Sequence, residues 1–280
     1  AKPLSERPPF AYWTAYDFAR WKVRETFKRI ACEWFDNYGP DGFMIDFFRM
    51  PCLFKSVAWG GQPSQEEMDG FTEMLRSIRE HAERVGRRRG RPIYFAFRLP
   101  DTPEVARPAG MDVERWMREG LFDILIAGSD IGRYRRLRDT AAMCRKYGVR
   151  YYPTMDSTYL KGSPEVFDRN ANETLTGHFA AGWAAGADGF YMFNMMYFPQ
   201  YFSSVRRNAR DLVREDKAYF VTPFEPELMS AGQPLPGRKG TLPVLCPPCP
   251  LNVSDTRERT FVIETGDDLS KIAPDDLPKV

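Results

Sequence analysis

Asp41-Gly42-Phe43-Met44-Ile45-Asp46-Phe47-Phe48-Arg49-Met50-Pro51 is the stretch on which the fold turns. An apolar run leaves a turn, stops on the carboxylate of Asp46, and continues into two aromatics, an arginine and a proline. A parallel strand buried on both faces reads as such a run. In closed sheets of parallel strands the reactive groups stand at the C-terminal strand ends. The pattern recurs down the chain. An apolar run at 93–97 ends at Arg98, with Asp101 beyond it; 122–127 ends at Ser129-Asp130; 150–154 ends at Asp156; and 189–193 ends at Asn194.

Between these runs the period changes to that of a helix. Val23, Phe27, Ile30 and Trp34 form a helical stripe that Gly39 closes. Ser64 and Glu67 have capping-box spacing. Met68, Phe71, Leu75, Ile78, Ala82 and Val85 make one face of the helix that follows, which Gly86 is expected to end. Further helices are expected over 112–119, 132–146, 164–184 and about 203–214. Gly39-Pro40-Asp41-Gly42-Phe43 and Gly186-Ala187-Asp188-Gly189-Phe190 lead into the first and last strands with the same turn chemistry.

Alternating strands and helices define an α/β fold. An open doubly wound sheet would gather its polar strand ends at one switch point. Here every strand ends on a polar residue, which favours a (β/α)8 TIM barrel. Eight units are needed for closure, so the five seen here are expected to be strands 4–8, with about three units upstream. Residues 1–217 are expected to form the barrel. Residues 218–280, crowded with proline and glycine over 223–250 and carrying one strand-like run at 259–264, are expected to be a linker and the start of a small β-rich segment.

Composition narrows the function. Forty basic residues against 38 acidic ones leave a net charge of +2, with no global pull toward nucleic acid or an anionic membrane. The run Arg87-Arg88-Arg89 with Arg91 reads as a solvated helix-end loop. No apolar stretch reaches the roughly 20 residues of a membrane helix. Five cysteines, an odd number, do not make a full disulfide framework. Cys246-Pro-Pro-Cys249 lacks a second ligand pair and a helix to open, so neither zinc nor redox chemistry is expected of it. No cofactor is expected.

The strand-end constellation points to carbohydrate chemistry. Two carboxylates across a bound sugar, one acid and one nucleophile or base, make a minimal glycosidase. Asp46, Asp130 and Asp156 are the catalytic candidates. Arg98 shares a strand face with Tyr94 and Ala96, and a buried arginine calls for a carboxylate partner. Arg98 and Arg49 are expected to orient carboxylates or to bind an anionic substituent. Trp13, Tyr16, Asp17, Asn194 and Tyr197 are expected to contact substrate, with Phe47, Phe48 and Trp59 among further aromatic neighbours. Met44 and Met192 read as barrel core, and His178 as structural. The alternatives are a non-catalytic carbohydrate-binding barrel and a carboxylate–metal enzyme, since clustered carboxylates suit Mg²⁺ or Ca²⁺. No lysine ends a strand and no Gly-rich phosphate loop follows the last two strands, which argues against aldolases and phosphate-ligand isomerases.

Asp41 to Pro51, of the form DG-apolar-apolar-apolar-D-x-x-R-x-P, resembles the fourth-strand signature of bacterial glycosyl hydrolase family 10-like proteins. Asp17 to Arg24 and Asp112 to Leu125 resemble other segments of that group, so the likeness spans about residues 10 to 215. It implies a TIM barrel acting on glycosidic bonds. A more distant similarity is to α-amylase and α-galactosidase barrels. It implies that Asp46, ending strand 4, is the nucleophile, and that Asp130, beyond strand 6, is the acid/base. The chain departs from true xylanase barrels, which place Asn-Glu after strand 4. A polysaccharide-active enzyme of this kind is expected to be secreted or periplasmic.

Overall fold

A computed structural model describes residues 16–47, 52–59, 61–100, 106–128, 137–155, 172–193, 212, 215–219, 227–230, 233–239 and 265–271. Its centre is an all-parallel five-stranded sheet in the order β1-β2-β3-β4-β5. The strands are β1 (Gly42–Asp46), β2 (Tyr94–Leu99), β3 (Ile124–Ala127), β4 (Arg150–Met155) and β5 (Tyr191–Met192). The helices are α1 (Trp21–Tyr38), α2 (Lys55–Ala58), α3 (Gln65–Arg89), α4 (Val113–Arg118), α5 (Leu137–Lys146) and α6 (Asn172–Ala185). Parallel neighbours demand a crossover, and a helix lies in each connection between successive strands. The sheet is curled into half a barrel.

Strand alternation separates two faces. Phe43, Ile45 and Phe47 alternate with Met44 and Asp46. In register beside them, Phe95, Phe97 and Leu99 alternate with Tyr94, Ala96 and Arg98. The first set faces the helices and forms the core with Phe35, Phe71, Leu75, Ile78 and Trp116. Beneath the C-terminal ends of β1 and β2 this core is aromatic. Phe47 lies 5.6 Å from Phe97 and 5.8 Å from Trp116, centroid to centroid. Trp116 is fully buried, and its indole N–H donates to Thr72 Oγ1 at 2.9 Å. The Thr72 hydroxyl donates in turn to the Met68 carbonyl at 2.8 Å. A buried indole usually finds such a partner.

The helix boundaries differ from the sequence expectation in one instructive place. Ser64 and Glu67 do form the capping box that opens α3. The helix then runs through Gly86 to Arg89 and ends at Gly90, whose φ of 75° is left-handed. Gly86 is needed for close approach: a Cβ there would meet the Arg91 carbonyl oxygen at 3.0 Å. Arg87, Arg88 and Arg89 therefore occupy the last turn of α3, not a loop, where cations complement the helix dipole. Arg88 reaches Asp36 at 3.3 Å, and Arg89 donates to the carbonyls of Arg91 and Pro92.

The stripe on α1 is also corrected. The helix buries Ala31 and Phe35, whereas Ile30, Trp34 and Tyr38 lie exposed. Met44 and Met192 are 44% and 37% exposed, so neither is packed barrel core.

Two strand lead-ins carry structural carboxylates. Asp123, before β3, accepts from the Phe95 N–H at 2.7 Å and pairs with Arg79 at 2.7 Å. Asp188, before β5, accepts from the Tyr151 N–H at 2.8 Å. Each satisfies an amide of the neighbouring strand at the N-terminal end of the sheet, opposite the end where Asp46 stands.

The second half of α6 is mostly apolar and largely buried. Leu175, Phe179 and Ala180 cluster with Leu212, Phe190 and Tyr219. A Cβ on Gly177 would meet the Ala218 carbonyl oxygen at 2.3 Å, and one on Gly266 would meet Ala180 backbone at 2.2 Å. Tyr219 donates to Asp267 at 2.9 Å and accepts from the Gly266 N–H, while Lys217 pairs with Asp267 at 3.3 Å. Residues 265–267 are thus held against the helical flank of the half-barrel. Glu227–Ser230 and Gln233–Lys239, β6 and β7, pair antiparallel within the stretch expected to be a linker. Of the earlier expectations, the helix near 203–214, the strand at 259–264 and Cys246-Pro-Pro-Cys249 lie outside the described residues, as do 132–136 and 164–171 of two helices.

Candidate active site

Asp46 is the last residue of β1, and its register partner on β2 is Arg98. In parallel strands such partners rise from the same face, so the side chains meet. Arg98 Nη1 donates to Asp46 Oδ2 at 3.0 Å. Burial is unequal: the Arg98 side chain is 1% exposed and that of Asp46 38%. The guanidinium is thus enclosed, while the carboxylate is shared between its cation and solvent. A buried charge is tolerated only when paired; Asp46 supplies a counter-charge at 3.0 Å.

Aromatic rings cover the other side of Arg98. Its guanidinium carbon lies 3.9 Å from the Phe193 ring centroid and 5.4 Å from that of Tyr191. Both distances are within cation–π range, worth about 2 kcal/mol when desolvated. They also measure the curl of the sheet. β2 and β5 are three strands apart, roughly 14 Å in a flat sheet, and side chains standing perpendicular to such a sheet would not touch.

A groove of about 360 Å³ opens beside β1, the first strand in the order of the described sheet. Asp46, Met44, Tyr16, Phe27 and Leu53 are among its lining residues. A mostly apolar wall with one carboxylate at its rim is the common composition of small-molecule sites. Tyr16 is 66% exposed and packs edge-on to Phe27 at 5.5 Å.

The structure thus pairs Asp46 with Arg98 and places Asp46 and Tyr16 on the wall of one groove. Asp17 stands close in sequence but is engaged elsewhere: its Oδ1 accepts from the amides of Ala19 at 3.2 Å and Lys55 at 3.3 Å, joining the loop before α1 to the start of α2. Phe47 belongs to the core and Trp59 is exposed. Asp130, Asp156, Arg49, Asn194, Trp13 and Tyr197 lie outside the described residues, as do Asp101 and Phe48. Among the described residues no cluster of three or more metal-ligating side chains occurs, and Cys32 and Cys144 are free thiols. No described helix is long and apolar enough to cross a membrane. Sequence reading did not single out Phe193 or Tyr191. The apolar run at 189–193 marks them as strand residues, but only the register Thr154↔Tyr191 shows which face they share with Arg98.

No family model matches the chain, and no curated protein matches it. Stretches of solved structures are similar at low identity. One is a glycoside hydrolase family 18 N-acetylglucosaminidase from Paenibacillus barengoltzii, with 17% identity over 49% of this chain and 45% of that one, at a TM-score of 0.34. A family 18 chitinase from Chromobacterium violaceum shows 14% identity over 47% of this chain and 25% of that one, at 0.31. The octameric ribulose-1,5-bisphosphate carboxylase/oxygenase from Pyrococcus horikoshii shows 14% identity over 60% and 34%, at 0.34. The chain spans less than half the length of each. None of the three is a family 10-like protein, so that resemblance rests on its motifs alone. At these TM-scores the likenesses assign the chain neither a family nor an activity.

Proposed function

We propose that the five strands correspond to strands 4–8 of a (β/α)8 barrel, that residues 1–217 hold these five units and the loop of the preceding one, with 218–280 as a linker and the start of a β-rich segment, and that the chain acts as a glycoside hydrolase on a poly- or oligosaccharide. One observation carries this reading. The Asp46 carboxylate, at the C-terminal end of a parallel strand, is ion-paired to the buried Arg98 on one side and borders an aromatic-walled groove on the other. Paired with a cation beside the groove, Asp46 takes the role of nucleophile or of the carboxylate that stabilises an oxocarbenium-like transition state. The proton for the leaving oxygen comes from a second strand-end acid. Asp130 is the first candidate and Asp156 the second.

Because Arg98 is engaged by Asp46, recognition of an anionic substituent falls to Arg49. Tyr16 offers a ring face to the sugar, and Trp13, Asn194 and Tyr197 complete the proposed contacts, while Asp17 holds the loop before α1 to the start of α2. The test is a turnover screen over a panel of glycans with the unaltered chain and with Asp46→Asn. The expected result is turnover by the first and none by the second, with matching circular dichroism spectra. Undiminished turnover by Asp46→Asn would remove Asp46 from the chemistry.

A further inference from the structure

The pairing of Asp46 with Arg98 depends on the plane of a guanidinium at the end of a long, flexible side chain. Two hydrogen-bonding strands set where the Arg98 Cα lies, but they do not set where Nη1 points. We propose that Phe193 is a positioning residue for the candidate site: its ring seats the Arg98 guanidinium, and the guanidinium so held orients the Asp46 carboxylate. This rests on the reading of Asp46 as the reacting carboxylate, while the seating itself is independent of any activity.

The geometry supports each link. Tyr191 pairs in register with Thr154 on β4, so Phe193, two residues on, rises from the same concave face as Arg98 and Asp46. The guanidinium carbon stands 3.9 Å from the Phe193 ring centroid, close to van der Waals contact. A planar delocalised cation lies favourably on the negative face of an aromatic ring. With its plane so restrained and its charge enclosed, Arg98 presents Nη1 to Asp46 Oδ2 at 3.0 Å. The chain of contact runs from β5 to β2 to β1 across the hollow of the half-barrel. A residue on the far strand thereby acts on the carboxylate through the guanidinium between them. Leucine or methionine at 193 would fill much of the same space but offer no ring face.

The experiment compares the unaltered chain with Phe193→Leu, Phe193→Tyr and Phe193→Met by side-chain NMR of the arginine guanidinium groups, with Arg98 assigned from Arg98→Lys. In the unaltered chain the Arg98 guanidinium protons are expected upfield, from the ring current, and slow to exchange with solvent. Phe193→Leu should abolish the upfield shift and speed exchange roughly tenfold. Phe193→Tyr should restore both, which a loss of mere packing volume would not explain. Should Phe193→Leu fail to fold, Phe193→Met is read in its place. Slow exchange and an unmoved Nη1 resonance in either ring-less variant would overturn the proposal. Glycan turnover forms the second arm: kcat should fall in Phe193→Leu and recover in Phe193→Tyr. If the unaltered chain turns over no glycan, the glycosidase reading fails, and the NMR arm still decides the role of Phe193.

Discussion

Asp46 and Arg98 occupy paired positions on adjacent parallel strands and are joined at 3.0 Å, yet one is 38% exposed and the other 1%. That asymmetry makes the two ends of the ion pair unequal in energy. Removing Asp46 takes a counter-charge away from an enclosed guanidinium. Removing Arg98 leaves a carboxylate that water can reach.

Asp46→Ala is therefore expected to destabilise the fold by about 2–3 kcal/mol, toward the low end for breaking a buried pair because Asp46 is partly solvated. Arg98→Met should cost about 1 kcal/mol or less, since methionine fills the space and no charge remains buried. Urea unfolding of both variants and of the double variant checks the order. A larger loss from Arg98→Met would mean that the guanidinium is not balanced chiefly by Asp46.

Thr72 supports the aromatic core beneath this pair. Thr72→Val keeps the shape but takes the acceptor from the fully buried Trp116 indole. An unsatisfied buried donor costs about 1–3 kcal/mol, and Thr72→Ser should recover most of it. The melting temperatures of the two variants, read alongside the near-ultraviolet signal of Trp116, decide the point.

Gly177 tests the covering of α6. Its missing Cβ makes room for the Ala218 carbonyl, which an added methyl would meet at 2.3 Å. Gly177→Ala should lower stability by about 1–3 kcal/mol, as overpacking does, although alanine is the better helix former. Faster hydrogen exchange over 215–219 and 265–271 would locate the damage; a stabilised variant would show that this contact is not close.

Alkaline pH should weaken the fold. Burial pushes the Cys144 thiol from its ordinary 9.0 up to about 12, with the Asp188 carboxylate adding to the effect. Burial also raises Tyr219, whose hydroxyl donates to Asp267. Both groups stay protonated in the folded chain while the unfolded chain loses those protons at ordinary values. The stabilisation is complete below about pH 9 and is lost as pH rises beyond it, by up to about 1.4 kcal/mol per pH unit for Cys144. Urea midpoints at pH 8, 9 and 10 should fall, and Cys144→Ala should flatten the fall. A midpoint independent of pH over that range would contradict the assignment.

The parallel strands were legible because each is an apolar run ending on a polar residue, and α3 because Ser64 and Glu67 mark its start. The end of α3 was not legible: Gly86 looks like a stop, but it serves the return of Arg91 and Pro92 against the helix. The stripe on α1 misleads for a related reason. Periodicity shows that Phe27, Ile30 and Trp34 share a face, not whether anything covers it. Asp41-Gly42 and Asp188-Gly189 looked like shared turn chemistry; the second of these carboxylates in fact caps the amide of a neighbouring strand.

By itself the sequence determined the alternation of strands and helices, the all-parallel character of the sheet and the placing of Asp46 at a strand end. These follow from local periodicity and from the polarity of single residues. Tertiary structure decided that Asp46 is partnered by Arg98, that Phe193 lies over that guanidinium, and that Asp123 and Asp188 belong to the opposite end of the sheet. Register and curl set those relations by bringing residues about 30 to 95 positions apart into contact, and they arise from the pairing of whole strands, which no local pattern in the chain encodes.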